Sequence, residues 1–156
     1  MTMTDNELHY TDSIHYELEQ TARVMRMLTT QLFEKLEIGL SMDEYAALDT
    51  IYCNHGICQR DLAKLIIKDR ANTGRILNSL EQKGFITRFI DTKNNRLVKK
   101  MKVTDNGTRE LKEITEKFHE YLGGVTQKFR AKEIDAVKES LKKFRLDLEQ
   151  LVNMNI

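Results

Sequence analysis

The sequence has no proline and no tryptophan, only two cysteines, and seven glycines confined to a few punctuation points. Without proline, nothing forces a helix to stop or kink, so long uninterrupted helices are expected. Two thiols, Cys53 and Cys58, are too few for a disulfide framework in 156 residues, which fits a reducing compartment. No apolar run is long enough to span a bilayer, and the opening MTMTDNELHY lacks the basic-then-apolar layout of a secretion signal. These absences together predict a cytoplasmic protein. Also missing are a nucleophile with a neighbouring base, a glycine loop that would cradle phosphate, and paired carboxylates in an apolar setting. The expectation is therefore no enzyme, no catalytic residue, no metal and no cofactor. Even net charge is scarce: 25 Lys and Arg against 24 Asp and Glu leave +1.

That near-neutral sum hides a polarised chain. Between Cys58 and Val103 stand twelve Lys or Arg and four acids, a local charge of +8, so the remainder sums to −7. The stretch reads as a short helix, a turn, a second helix ending at Gly84, and a basic β-ribbon. A basic patch carried on ordered elements is the electrostatic footprint of nucleic-acid binding.

Apolar residues Ile14, Leu18, Met25, Leu28, Leu32 and Leu36 predict one long helix over residues 13–36, with Gly39 in a left-handed turn at its end. Ser41 and Glu44 form a capping-box pattern for a helix reaching Cys53, with Tyr45, Leu48 and Ile51 or Tyr52 inward. In the central stretch, Leu62, Leu65 and Ile66 are expected to be the buried side of the first short helix, and Asp69 the N-cap of the second. Thr73, Ile76, Leu77 and Leu80 then face the core. The opposite face carries Ala71, Gly74, Arg75 and Asn78 with no acid before Glu81. Small residues permit close approach to DNA, and Arg and Asn are the side chains that pair with base edges.

Beyond Gly84, residues 86–90 and 100–103 read as strands, with residues 91–95 as the turn between them. Arg96, just past the turn, suits a minor groove, where narrow A·T-rich sequence concentrates negative potential. Thr104 is the expected N-cap of a final helical region that Gly123-Gly124 bends. Its last stripe, Ile134, Val137, Leu141, Phe144, Leu148 and Leu151, alternates steps of three and four, which is heptad spacing. Such a stripe needs a surface to bury against, and the economical one is a second copy of the chain.

The order helix, helix, helix-turn-helix, wing, two long helices resembles the MarR family of bacterial winged-helix transcriptional regulators. The resemblance rests on Leu62-Ala63, on Leu80-Glu81-x-Lys83-Gly84-Phe85-Ile86-x-Arg88, on residues 91–96, and on Val103-Thr104-x-x-Gly107. It implies a mainly α fold with a small β-hairpin wing. Residues 39–103 would be the DNA-binding lobe, and residues 1–38 and 104–156 a helical dimerisation region. It implies a homodimer on a pseudo-palindromic double-stranded DNA operator, acting as a repressor, the family's commonest mode. The candidate DNA contacts are Arg60, Arg70, Ala71, Asn72, Gly74, Arg75, Asn78, Arg88, Lys93, Asn95 and Arg96, with Asp91 orienting Arg96. The chain departs from the family pattern in having Lys93 and Asn94 in the wing, Cys58 where Ser or Thr commonly caps, and a glycine inside the recognition helix.

Regulation leaves fainter marks. The resemblance implies a small aromatic or amphipathic ligand, for which Arg23, Arg26, Tyr45 and Tyr52 are candidate lining residues. Cys58 at a helix start suits a reactive thiolate, with Cys53 nearby, so a thiol-based redox sensor is an alternative. A winged-helix module that binds protein and not DNA is another.

Overall fold

The computed structural model describes residues 9–153; residues 1–8, which carry most of the secretion-signal reading, and residues 154–156 lie outside the described residues. The chain divides into two compact units, residues 1–42 and 43–156.

In the first unit, a 3-10 turn at Tyr10–Asp12 precedes helix α1 (Ile14–Lys35). Ser13 caps α1 by accepting from the Tyr16 amide at 3.2 Å. Thr29, Leu32, Phe33 and Leu40 are buried, whereas Ile14, Met25 and Leu28 of the expected stripe are exposed. The left-handed residue closing α1 is Glu37, with φ 53°, and not Gly39. The Glu37 and Ile38 amides reach back to the Glu34 and Phe33 carbonyls, and this hydrogen-bonded turn fixes the position that must go left-handed.

The second unit holds α2 (Met42–Cys53), whose first residue belongs to the first unit, then α3 (Gln59–Ile66), α4 (Arg70–Gln82), β1 (Ile86–Lys93), β2 (Arg96–Val103), α5 (Asp105–Leu122) and α6 (Ala131–Glu149). Its core is Ala47, Leu48 and Ile51 of α2, Leu62 and Ala63 of α3, Thr73, Leu77 and Leu80 of α4, Ile86, Met101, Leu111 and Ile114. In α3 the expectation fails at Leu65, which is 57% exposed, because Ala63 takes the inward place beside Leu62. The α3–α4 turn is closed by Ile67 at φ 54°, a left-handed conformation that a β-branched side chain seldom adopts. Asp69 caps α4 as expected, accepting from the Asn72 amide at 2.7 Å. Gly84, at φ 77°, ends it with the Phe85 amide bonded to the Leu80 carbonyl.

The two strands pair antiparallel in one register from Ile86↔Val103 to Lys93↔Arg96. The turn is therefore only Asn94-Asn95, both left-handed at φ 53° and 60°, and not the five residues 91–95. Two successive positive φ values match the right-handed twist of a hairpin, and asparagine tolerates them. The ribbon is tied to the residues before α3 by a Cys58↔Lys100 bridge and by the Met101 amide on the Ile57 carbonyl.

The return to helix explains the Val103-Thr104-x-x-Gly107 pattern. The Thr104 hydroxyl donates to the Gly84 carbonyl at 2.6 Å and accepts from the Gly107 amide at 3.0 Å. A β-carbon on Gly107 would sit 2.2 Å from the Phe85 carbonyl oxygen, so no other residue fits. Helix α5 ends at Leu122, so Gly123-Gly124 terminate it and do not bend it. Helix α6 contains no buried residue.

Candidate nucleic-acid interface

Helix α4 begins with a relay of polar groups. Asn72 donates to Asp69 Oδ2 at 2.6 Å and accepts from Arg75 Nη2 at 2.6 Å. The Asn72 amide hydrogen bond, reinforced by its side chain, holds the Asp69 carboxyl below its ordinary pKa. Asn72 is thus spent on aiming Arg75, whose remaining guanidinium donors stay exposed. Arg70, Ala71, Arg75 and Asn78 form an exposed row, with Gly74 half-buried between them. A β-carbon on Gly74 would meet only Gln59 Nε2, at an ordinary 3.7 Å, and its φ is not left-handed. Neither packing nor backbone geometry within the chain explains a glycine there.

The twelve basic residues of the central stretch sort into two sets. Five form ion pairs: Lys68–Asp43, Lys83–Glu44, Arg88–Glu81, Lys93–Asp61 and Lys100–Asp91. Arg88 reaches from β1 to Glu81 at 3.0 Å and also donates to Asn78 Oδ1 at 2.7 Å, so it fastens the ribbon to α4. That pairing keeps the Glu81 carboxyl below its usual range. Lys93, in the same way, ties the far end of the ribbon to α3. The Lys93 hydrogen bond, with a smaller contribution from the Cys58 thiol, holds the Asp61 carboxyl down. The other seven, Arg60, Lys64, Arg70, Arg75, Arg96, Lys99 and Lys102, form no ion pair among the described residues.

Among these seven, Arg60, Arg70 and Lys99 line one cleft of about 210 Å³ with Cys58, Ala63 and Val98. Lys99 escaped the sequence reading because its position depends on the strand register, which the overlong expected turn obscured. Asp91 departs from expectation. Its carboxylate pairs with Lys100 at 2.8 Å and is held below its usual pKa chiefly by that bond, leaving Arg96 without it. The register offers both: Asp91 lies opposite Val98, with Lys100 and Arg96 as its two diagonal neighbours, and the carboxylate takes Lys100. Arg96 stands exposed beside the turn, opposite Lys93, and Asn95 is itself a turn residue.

The residues expected for sensing are scattered over different local settings. Arg23 pairs with Glu19 at 3.0 Å on α1. Arg26 lines a groove of about 550 Å³ in the first unit with Met25, Thr29, Phe33, Ile38 and Met42. Tyr45 stacks on Phe118 at 5.5 Å and shares a 2.9 Å hydrogen bond with Thr115, so it fastens α2 to α5. Tyr52 is exposed, its ring 6.4 Å from that of His55. Both cysteines are free thiols: Cys53 is exposed at the end of α2, and Cys58 is buried at the start of α3. No group of three metal-ligating side chains stands together among the described residues, and no described helix is long and apolar enough to cross a membrane.

A short helix, a three-residue turn, a second helix with an outward basic row and a two-stranded ribbon fastened to it define a winged helix-turn-helix. Residues 40–98 match the MarR family. The uncharacterized HTH-type transcriptional regulator YybA of Bacillus subtilis (strain 168) is 33% identical over 93 residues, which cover 60% of this chain and 60% of that protein. The match thus spans less than two thirds of that relative's length. The crystal structure of the transcriptional regulator SlyA superposes with a TM-score of 0.73 at 26% identity, covering 88% of this chain and 95% of that one. The S. aureus MepR–DNA complex gives 0.73 at 21% identity, over 90% and 99%. Over residues 40–98 this chain is thus similar to the MarR family, and its fold is similar to that of the winged helix-turn-helix regulator SlyA.

Proposed function

We propose that the protein is a homodimeric regulator that binds a pseudo-palindromic double-stranded DNA operator and represses transcription by occupying it. The observation that carries this is the sorting of charge. Lys68, Lys83, Arg88, Lys93 and Lys100 are taken up by internal pairs, while Arg70 and Arg75 on α4, Arg60 and Lys99 at the cleft, and Arg96 at the wing tip are not. In this reading α4 enters the major groove, with Arg75, aimed by Asn72, and Asn78 reading base edges and Gly74 allowing the helix backbone close. Arg60, Arg70 and Lys99 grip phosphate, and Arg96 enters the flanking minor groove. Arg88 and Lys93 hold the wing in place, and Asp91 does the same through Lys100.

Dimerisation supplies the second half-site. It is supported by the exposed apolar side chains Val137, Leu141, Leu148 and Leu151 at and beyond α6, which find no cover within their own unit. Control by a small amphipathic ligand is supported by the groove around Arg26, which would bind and shift the dimer between two spacings of its recognition helices.

The deciding experiment measures affinity for double-stranded DNA against salt. Several phosphate contacts per dimer give a steep linear fall of log affinity with log salt, about 0.9 per phosphate neutralised. A flat line rejects DNA binding and leaves a protein-interaction module.

A further inference from the structure

The recognition helix is gripped at both ends by two consecutive acids. Asp43 and Glu44 lie in the first turn of α2. Asp43 Oδ2 stands 2.8 Å from the Nζ of Lys68, in the turn just before α4. Glu44 accepts from the Nζ of Lys83, the C-cap of α4, through both oxygens, at 3.1 and 2.9 Å. One helical turn thus reaches the two lysines that bracket α4.

The two pairs differ physically. Asp43–Lys68 is largely exposed, and such pairs add little to stability. Glu44 is shielded, with its side chain 10% exposed, and a shielded carboxylate costs free energy unless it is paired. Two apolar side chains of similar volume in place of both partners would be about as stable, so the charge pair is not explained by the fold's stability. Bidentate contact with one ammonium does provide a directional tie between two helices. The tie also removes Lys83 from the outward basic face.

We infer that Asp43 and Glu44 are positioning residues for α4: they set the angle at which the recognition helix is presented to DNA. The inference rests on the DNA-binding reading. Its test is designed to separate the two.

The full chain is used to select duplexes from a random pool, and affinities for one selected and one unselected duplex are measured at the same salt. Glu44→Gln removes one negative charge, so electrostatics alone would tighten binding to both duplexes alike. A positioning role instead lowers the ratio of selected to unselected affinity, by about fivefold or more. Lys83→Met should do the same, and Glu44→Gln/Lys83→Met should be no worse than either alone. Asp43→Asn should lower the ratio less and, being exposed, leave folding intact if Glu44→Gln does not. Unchanged ratios with only a lower melting temperature reduce the pair to a structural contact and overturn the inference. A Lys83→Met loss that persists undiminished in the Glu44→Gln background makes Lys83 a DNA contact and overturns it too. If the unmodified chain shows no preference for any duplex, the DNA reading falls and this inference falls with it.

Discussion

Helices α4 and α6 are both amphipathic, yet they dispose of their apolar faces differently. Thr73, Leu77 and Leu80 of α4 are completely buried in the lobe, whereas α6 buries nothing and leaves Val137, Leu141 and Leu148 exposed. Burial of a leucine contributes about 1.5–3 kcal/mol, so a 19-residue helix with Ile134 and Phe144 only half-buried and the rest of its stripe uncovered lacks much of what should hold it. In the dimer proposed above, the contrast separates a region that is finished within one chain from a region that is finished by association. It also separates their outward surfaces: α4 shows an outward row with two arginines, and α6 shows exposed apolar side chains.

The sharpest way to break this contrast is to compare Leu141→Glu with Leu77→Ala. Leu141→Glu should convert dimer to monomer in sedimentation and lower operator affinity by about 100-fold or more, because the second half-site is no longer held at high effective concentration. Leu77→Ala should cost about 2–5 kcal/mol of unfolding free energy in a denaturant titration, with no dependence on protein concentration. If Leu141→Glu leaves mass and affinity unchanged, α6 is not the seam.

Next in size is Arg75→Ala. A loss of about 1–3 kcal/mol, confined to the cognate base at one position, is expected from binding to a set of single-base operator variants. Equal loss on all variants makes Arg75 a phosphate contact. Gly74→Ala should then separate the two surfaces of α4. It should raise stability by up to about 1 kcal/mol, since nothing in the chain opposes the methyl group, while weakening operator binding. Undiminished binding would leave the glycine unexplained.

The smallest effect expected is one of pH. The Asp61 and Asp91 carboxyls sit below their ordinary pKa, held by Lys93 and Lys100 respectively. A carboxyl depressed in the folded state contributes stability that is present above its unfolded value and lost as pH falls through the folded value. The wing should therefore keep its ties at neutral pH and loosen below about pH 4. Hydrogen exchange at the ribbon amides should accelerate there before exchange at the Leu77 and Leu80 amides does. Simultaneous acceleration would mean the wing has no stability of its own to lose.

Much of the lobe was readable because its signals are local. Asp69 and Thr104 are expected as caps, and each accepts the backbone amide three residues on. A cap depends on four consecutive residues, and so does the Gly84 turn. Errors arose where a choice depends on distant chain. Leu65 and Ala63 are both plausible inward residues of α3 until the rest of the core is present. The turn length of the wing follows from a register that pairs residues on two strands. Gly39 looked the better left-handed residue, but the hydrogen-bonded end of α1 falls at Glu37.

The sequence by itself determined the helix-turn-helix, the wing and the concentration of positive charge, because caps, glycine turns and hydrophobic period act over a few residues. Only the tertiary structure decided which of those charges remain available. Lys68, Lys83, Arg88, Lys93 and Lys100 meet acids carried by other elements or by another part of their own hairpin, and Arg60, Arg70, Arg75, Arg96 and Lys99 do not. An ion pair needs its partners within about 4 Å, and such proximity between α2, α3, α4 and the ribbon exists only once they pack.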